Sequence, residues 1–462
     1  MQILCRHLAI SCTLALLLQG CATQPLPETA SLSADISQRA GVSPAWTQSN
    51  AKSIDAQSLR DGSTLALPSP LDEVRAVAIA LDASPAIALM ISQTNALRAE
   101  AIDVSSPQNP MVNFSSAVPL DSMNAVPIFA MLLVQIDELW KQPLRSEAAR
   151  ELYQSALTSL GASAVSLAAD TRAAWHDTSL RESECVLAQH DLEITKHLLA
   201  ISRERFAVGE STGDTVAKAQ AEMVDAHHRA VRAQEMLSTA QLALMSLLGR
   251  AQATTEWRTG VADTASVFVM DTSLADEQAL LDRLADTRLD VRAAQARANS
   301  GRAKRELALR SRSNKLQVGA GYESDMQGMQ GVAFSANMEI PIFNDGSARI
   351  AMAEAEYQSA CIDAERVRQQ AIIELRGAIA KATASQQKHD ASAEGVFTPS
   401  VETFARAQAS LAAGEGSQRE AIDAEHALNH AKLELNDLER ERRSARLSLA
   451  KASGFLPAEV LP

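Results

Sequence analysis

The side chains best equipped for chemistry in this sequence are histidines and carboxylates at helical spacing. His426 and His430 stand four residues apart, and His190, Glu193 and His197 repeat a similar step along an earlier segment. Residues three or four apart share a helix face, so either set could offer ligands to one metal ion. Nothing in the sequence supplies a third ligand for His426 and His430, and charged helices produce such spacings often. Solvated surface is the competing account, and no metal site or cofactor is assigned. Met326 and Met329 lie in a turn-rich stretch, where thioethers could meet soft copper or silver ions or simply form a surface loop. Glu420 and Asp423, three apart, put two carboxylates on one helix face. No GxSxG, P-loop, CxxC or HExxH pattern occurs, so no catalytic residue is assigned and an enzyme is not expected.

The cysteines divide by position. Arg6 precedes the apolar run Leu8 to Leu18, which suits an export signal and is too short to cross a bilayer comfortably. The following Leu18, Gly20 and Cys21 resemble the cleavage box of bacterial lipoproteins. That resemblance implies a signal peptide over residues 1–20 and an acylated Cys21, with Ala22 rather than Asp next and hence the outer membrane as destination. A plain cleaved signal or an uncleaved apolar start are the alternatives. Cys185 and Cys361 then remain, as a disulfide in an oxidising periplasm or as free thiols in helix seams.

The elements that carry these residues are mainly helical. Aromatics make up only 3 % of the 462 residues, and Ala, Leu, Glu, Gln and Arg dominate, as in long helices packed through small side chains. The net charge of -13, with no basic stripe, argues against nucleic acid as a partner. Residues 21–70 are rich in Pro, Ser, Thr and Gln and read as an extended, lipid-anchored tether.

An internal duplication organises the rest. An offset of 204 places "ELYQSA" (Glu151 to Ala156) on "AEYQSA" (Ala355 to Ala360), and Arg145 on Arg349. An offset of 205 places "AVGE" (Ala207 to Glu210) on "AAGE" (Ala412 to Glu415), and Leu242, Leu244 and Gly249 on Leu447, Leu449 and Gly454. The two copies span 71–260 and 271–456.

Each copy carries a strand hairpin and then two long helices joined by a glycine turn. In the second copy Leu316, Val318, Ala320 and Tyr322 share one face of a strand, and Val332, Phe334, Ala336, Met338 and Ile340 share one face of the next. In the first copy Met111 to Val118 alternates, whereas Pro127 to Ile136 is apolar on both faces. Helices are expected from Leu274 to Ser311 and from Arg145 to Phe206. Gly395 and Pro399 should interrupt the long helix that starts near Ser347. Helices this long must pack side by side, and strands with an apolar outer face must close into a barrel if lipid surrounds them. Four strands cannot close alone, so several chains are required.

This order of elements, and above all Gly321 to Ala360 with Pro341, Phe343, Gly346 and Arg349 at a strand-to-helix junction, resembles the TolC-like outer-membrane efflux proteins. The resemblance implies a homotrimer with a 12-stranded β-barrel continuous with an α-helical periplasmic barrel. It also implies a periplasmic adaptor, an inner-membrane pump of the resistance-nodulation-division type, and passive export of heavy-metal cations or small toxic compounds. The tips that meet the adaptor would hold Arg205, Val208, Gly209, Gly213, Leu411 and Gly414, and Glu420 and Asp423 would form the periplasmic gate. A type I secretion duct shares this frame. A periplasmic coiled-coil scaffold would keep the helices without the pore.

Overall fold

The computed structural model describes residues 26–27, 29–47, 56–116, 126–254, 256–260, 277–311, 315–325 and 327–454. Cys21, the apolar run before it and Met326 lie outside these. The chain divides into two compact units.

The first unit, built on Thr94–Ala156 and Gln295–Asp363, is a sheet with helical stems. Its strands are β1 (Met111–Ser116), β2 (Ile128–Gln135), β3 (Leu316–Ser324) and β4 (Gln330–Met338). They form one antiparallel sheet in the order β1-β2-β3-β4, so the two hairpins of the duplication join edge to edge through β2 and β3. Strand β4 stops at Met338, two residues before the expected Ile340, because Met338 pairs with Leu316, the first residue of β3, and the ladder has no further partner strand there among the described residues. The stems lock through polar contacts: Ser300 donates to the carbonyl of Ala148 at 2.7 Å, and the Arg305 guanidinium lies 5.8 Å from the Tyr357 ring centroid.

The second unit, built on Thr29–Gln93, Leu157–Ala294 and the chain from Ala364 onward, is helical. Helices α1 (Thr29–Ala40) and α2 (Ala56–Ser63) correct the expectation of an extended tether over 21–70. Leu32, Ile36 and Ala40, at four-residue steps, are all buried. Leu32 sits where Gly161 leaves room, since a Cβ there would come within 2.5 Å of the Leu32 Cδ1. The stripe therefore folds the segment onto the helices instead of leaving it solvated.

Asp72 caps α3 (Glu73–Ala83), and α4 (Pro85–Ser105) follows. The first long helix, α5, runs from Glu138 to Ala207 and α6 returns over Gly213–Leu247. The expected helix over 274–311 is two helices, α7 (Glu277–Thr287) and α8 (Leu289–Arg310), broken where Arg288 turns to pair with Asp290 and Glu374. In the second copy α9 (Ser347–Ser392) passes through a π-helical turn at Ala393–Phe397 into α10 (Thr398–Ala412), and α11 (Gln418–Ser453) returns. Gly395 lies in that turn and Pro399 just after it, so the interruption falls where these residues predicted it.

Several hydrophobic clusters hold the unit, two of them large. One joins Leu280, Leu284, Ala371, Leu375, Ala445 and Leu449, and the other gathers Leu71, Ala80, Trp175, Leu244 and Leu248. Small alanines let backbones approach closely, and Trp175 anchors the second cluster by donating from its indole nitrogen to the Leu71 carbonyl at 2.8 Å. Leu71 and Thr259, near the ends of the first repeat, form a parallel bridge. Cys185 is buried and Cys361 half-buried, both as free thiols. Among the described residues no single helix is long and apolar enough to cross a membrane.

Candidate functional site: sheet face, junction, helix tips and a histidine cluster

The strand register sorts the sheet into two faces. Val112 pairs with Leu132, Leu132 with Ala320, and Ala320 with Phe334; Ala130, Tyr322 and Val332 form a second such row. These side chains point to one face because alternate residues share a side. They are also exposed: Val112 is 72 %, Val332 73 % and Phe334 80 % accessible. A continuous exposed apolar band of four strands is unusual for a protein surrounded by water.

The opposite face carries Asn113, Ser115, Gln317, Glu323, Ser335 and Asn337, but also Met131 and Leu133. This accounts for the strand that is apolar on both sides. Gly319 faces Leu133 and Met131, and a Cβ on it would lie 2.6 and 2.8 Å from their side-chain atoms. Met131 and Leu133 are buried because the glycines of β3 leave space for them.

At the junctions between strand and helix, the two copies use different chemistry. In the first, buried Asp137 pairs with Lys141 at 2.7 Å and accepts from the Leu316 amide at 3.3 Å. In the second, Asn344 and Asp345 accept from the amides of Gly346 and Ser347, each at 3.0 Å, as two successive side-chain turns that lead into α9. Pro341, Gly346 and Arg349 line a polar cleft with Asp137, Glu138 and Arg145. Phe343 is fully exposed.

Both helix tips close on a glycine with positive φ, Gly209 at 82° and Gly414 at 75°. The turn amides return to the last helical carbonyls, Glu210 to Arg205 and Glu415 to Ser410. Arg205, Val208, Gly213 and Leu411 are exposed there. Glu420 and Asp423 are exposed as well, yet each already has a partner. Glu420 completes a capping box with Ser417, and Asp423 lies 3.4 Å from Arg419.

The histidine sets fare differently. His190 turns to Glu425 at 3.2 Å and Glu193 to Lys196 at 2.8 Å, so that set does not converge. His426 and His430 do converge, with their Nε2 atoms 3.1 Å apart. Asp191 on α5 supplies the third group that the sequence lacked, its Oδ1 lying 3.3 Å from His426 and 3.6 Å from His430. No spacing could reveal this, because Asp191 is far from both in the chain. Its carboxyl is held well below the usual carboxylate range. Burial opposes the charge, but hydrogen bonds from His426 and Arg229 and the positive charges around it outweigh that. The hydrogen bond to Asp191 raises His426, whereas burial lowers His430.

Comparison with known proteins agrees with this geometry. Residues 280–455 match the family model described as outer membrane efflux protein. The fold is similar to the structure of CusC, described in terms of transmembrane channel formation, with a TM-score of 0.66 at 20 % identity, covering 85 % of this chain and 96 % of that one. The VceC outer membrane protein of Vibrio cholerae gives 0.63 at 17 % identity, over 83 % and 96 %. The MtrE outer membrane channel of Neisseria gonorrhoeae gives 0.62 at 19 % identity, over 83 % and 89 %. No relative is found among curated proteins. The second repeat carries the signature of the outer membrane efflux proteins, and the chain shares the fold of these solved outer-membrane proteins.

Proposed function

We propose that the protein is the passive outer-membrane exit duct of a tripartite efflux system, and that it works as a homotrimer. The observation that carries this is the exposed apolar face running across all four strands of a sheet whose end strands, β1 and β4, have no further strand partner among the described residues. Lipid accepts such a face only if every backbone donor and acceptor is paired, which an open four-stranded sheet cannot achieve. Three copies joined edge to edge close the ladder at twelve strands, within the range of known barrels. The opposite face, with Asn113, Ser115, Gln317, Glu323, Ser335 and Asn337, then lines the pore.

In this scheme the helices enclose the periplasmic passage, and the exposed tips at Arg205, Val208, Gly209, Gly213, Leu411 and Gly414 meet a periplasmic adaptor. A resistance-nodulation-division pump in the inner membrane supplies heavy-metal cations or small toxic compounds. Acylated Cys21 tethers each chain to the outer membrane. Asp423 and Glu420 from three chains form acidic rings at the periplasmic gate, which attract cations and repel one another.

Planar-bilayer conductance of detergent-purified protein tests the duct. A trimer should conduct, with a smaller open probability in D423N, because neutralising the ring removes the repulsion that opposes its closure. A monomer that stays soluble without detergent and never conducts would overturn the proposal.

A further inference from the structure

We infer that Asp191, His426 and His430 form a binding site for a divalent transition-metal ion of the zinc and cobalt kind. Ligand atoms about 2.0–2.1 Å from a tetrahedral zinc ion stand about 3.3–3.4 Å from one another. The three atoms here form a triangle with edges of 3.1, 3.3 and 3.6 Å. The side chains are therefore spaced as ligands around one ion before any ion enters. Among the described residues this is the one group of three such side chains whose ligand atoms converge.

The surroundings hold the ligands in place. Arg229 on α6 binds the other Asp191 oxygen at 2.7 Å, which orients the carboxylate and leaves Oδ1 toward the histidines. The Asn429 amide, between the two histidines in sequence, donates to the Leu187 carbonyl at 3.1 Å and pins α11 against α5 at this level. Glu222 on α6 lies 3.8 Å from the His426 Nε2, close enough to supply a fourth ligand after a rotamer change; a water serves otherwise. Asp191 is fully buried, whereas the His430 side chain is 46 % exposed, so an ion enters past His430.

The donor set selects the ion. Two imidazoles and one carboxylate suit zinc, cobalt or nickel; magnesium and calcium prefer all-oxygen shells, and copper(I) prefers sulfur. Among the described residues the site occurs once. At the offset of 205 the counterparts of His426 and His430 are Ala221 and Asp225, which cannot repeat it. His426 is also three residues past Asp423, one helical turn from the acidic pair at the tip. A bound ion ties α5 to α11 beside that tip.

This inference rests on local geometry and not on the duct, so a chain that binds metal but never conducts would overturn only the duct. The test uses the full chain purified in detergent with a tag free of histidine, stripped by a chelator and titrated with Co²⁺. The expected result is one Co²⁺ per chain with the visible bands of a four-coordinate ion, bleached by one equivalent of Zn²⁺. H430Q, at a half-exposed position, should keep its helical circular dichroism and lose the bands, while H190Q keeps them. A stripped wild-type chain that takes up no Co²⁺, or an H430Q chain that binds it equally, would overturn the site.

Discussion

The same ion pair occurs twice in this chain, in opposite environments. Arg172 meets Glu73 at 3.0 Å with side chains 2 % and 12 % exposed; Arg376 meets Glu277, also at 3.0 Å, with side chains 61 % and 50 % exposed. The two pairs are related by the 204-residue offset of the duplication. In the first repeat the N-terminal helix α1 closes over the pair, and Arg172 also donates to the Ala40 carbonyl at 2.6 Å. His176 adds a further contact to Glu73 at 3.4 Å. Duplication thus copied the charges, while the non-duplicated segment decided their surroundings. The lesson is energetic: identical contacts differ in worth because one pair is held out of water and the other is not.

The largest expected effect breaks the buried copy. E73Q leaves the Arg172 charge buried without its counter-charge and should cost about 3–5 kcal/mol in denaturant unfolding at neutral pH. Its pH dependence follows from the carboxyl. Burial opposes ionisation of Glu73, but hydrogen bonds and charge from His176 and Arg172 win and lower its pKa. A depressed carboxyl contributes its stability above the ordinary value of about 4.3 and loses it as pH falls through the lower folded value. The gap between wild type and E73Q should therefore narrow steadily below about pH 4; a constant gap would show that packing rather than charge carries the effect.

The hairpins sharpen the comparison at the next level. The first repeat places Met131 and Leu133 where the second has Ser335 and Asn337 at the same offset, and the second repeat makes room with Gly319 and Gly321. The copies have diverged into large and small partners. A Cβ at Gly321 would collide with the backbone of Ala130 and Met131, whereas one at Gly331 meets nothing within 4 Å. G321V should cost about 1–3 kcal/mol or more and reduce the yield of conducting protein, with G331V close to wild type. Equal behaviour of the two would mean that β2 and β3 do not pack as described.

At the helix tips the copies should instead agree. G209A and G414A each force a side chain into the left-handed region, at a cost of about 1–2 kcal/mol, visible as matching drops in melting temperature. The smallest effect belongs to the exposed ion pair. E277Q should change stability by less than about 1 kcal/mol and lose even that at high salt. A loss as large as that of E73Q would erase the contrast between the repeats.

Much of this architecture was legible because it is periodic. Alternation in "LQVGAGYE" and "GVAFSANMEI" gives the strands β3 and β4, glycines at offset 205 give both tips, and Gly395 with Pro399 gives the place, though not the π-helical form, of the interruption. These signals are local, set by a residue and its near neighbours in the chain. The apparent tether was misjudged because its stripe of Leu32, Ile36 and Ala40 is short and becomes meaningful only against Gly161 and its neighbours. Glu420, expected on one helix face with Asp423, also completes a capping box with Ser417, which is itself a local pattern.

The sequence by itself determined the duplication, the strand and helix periods and the turns, because each depends on dihedral preference and on which side of an element is apolar. Tertiary structure alone decided that the two hairpins form one sheet, that one copy of an ion pair is buried, and that Asp191 stands between His426 and His430. Burial and convergence are properties of groups distant in the chain, and only the packing of α5, α6 and α11 sets the distances at which those groups can act.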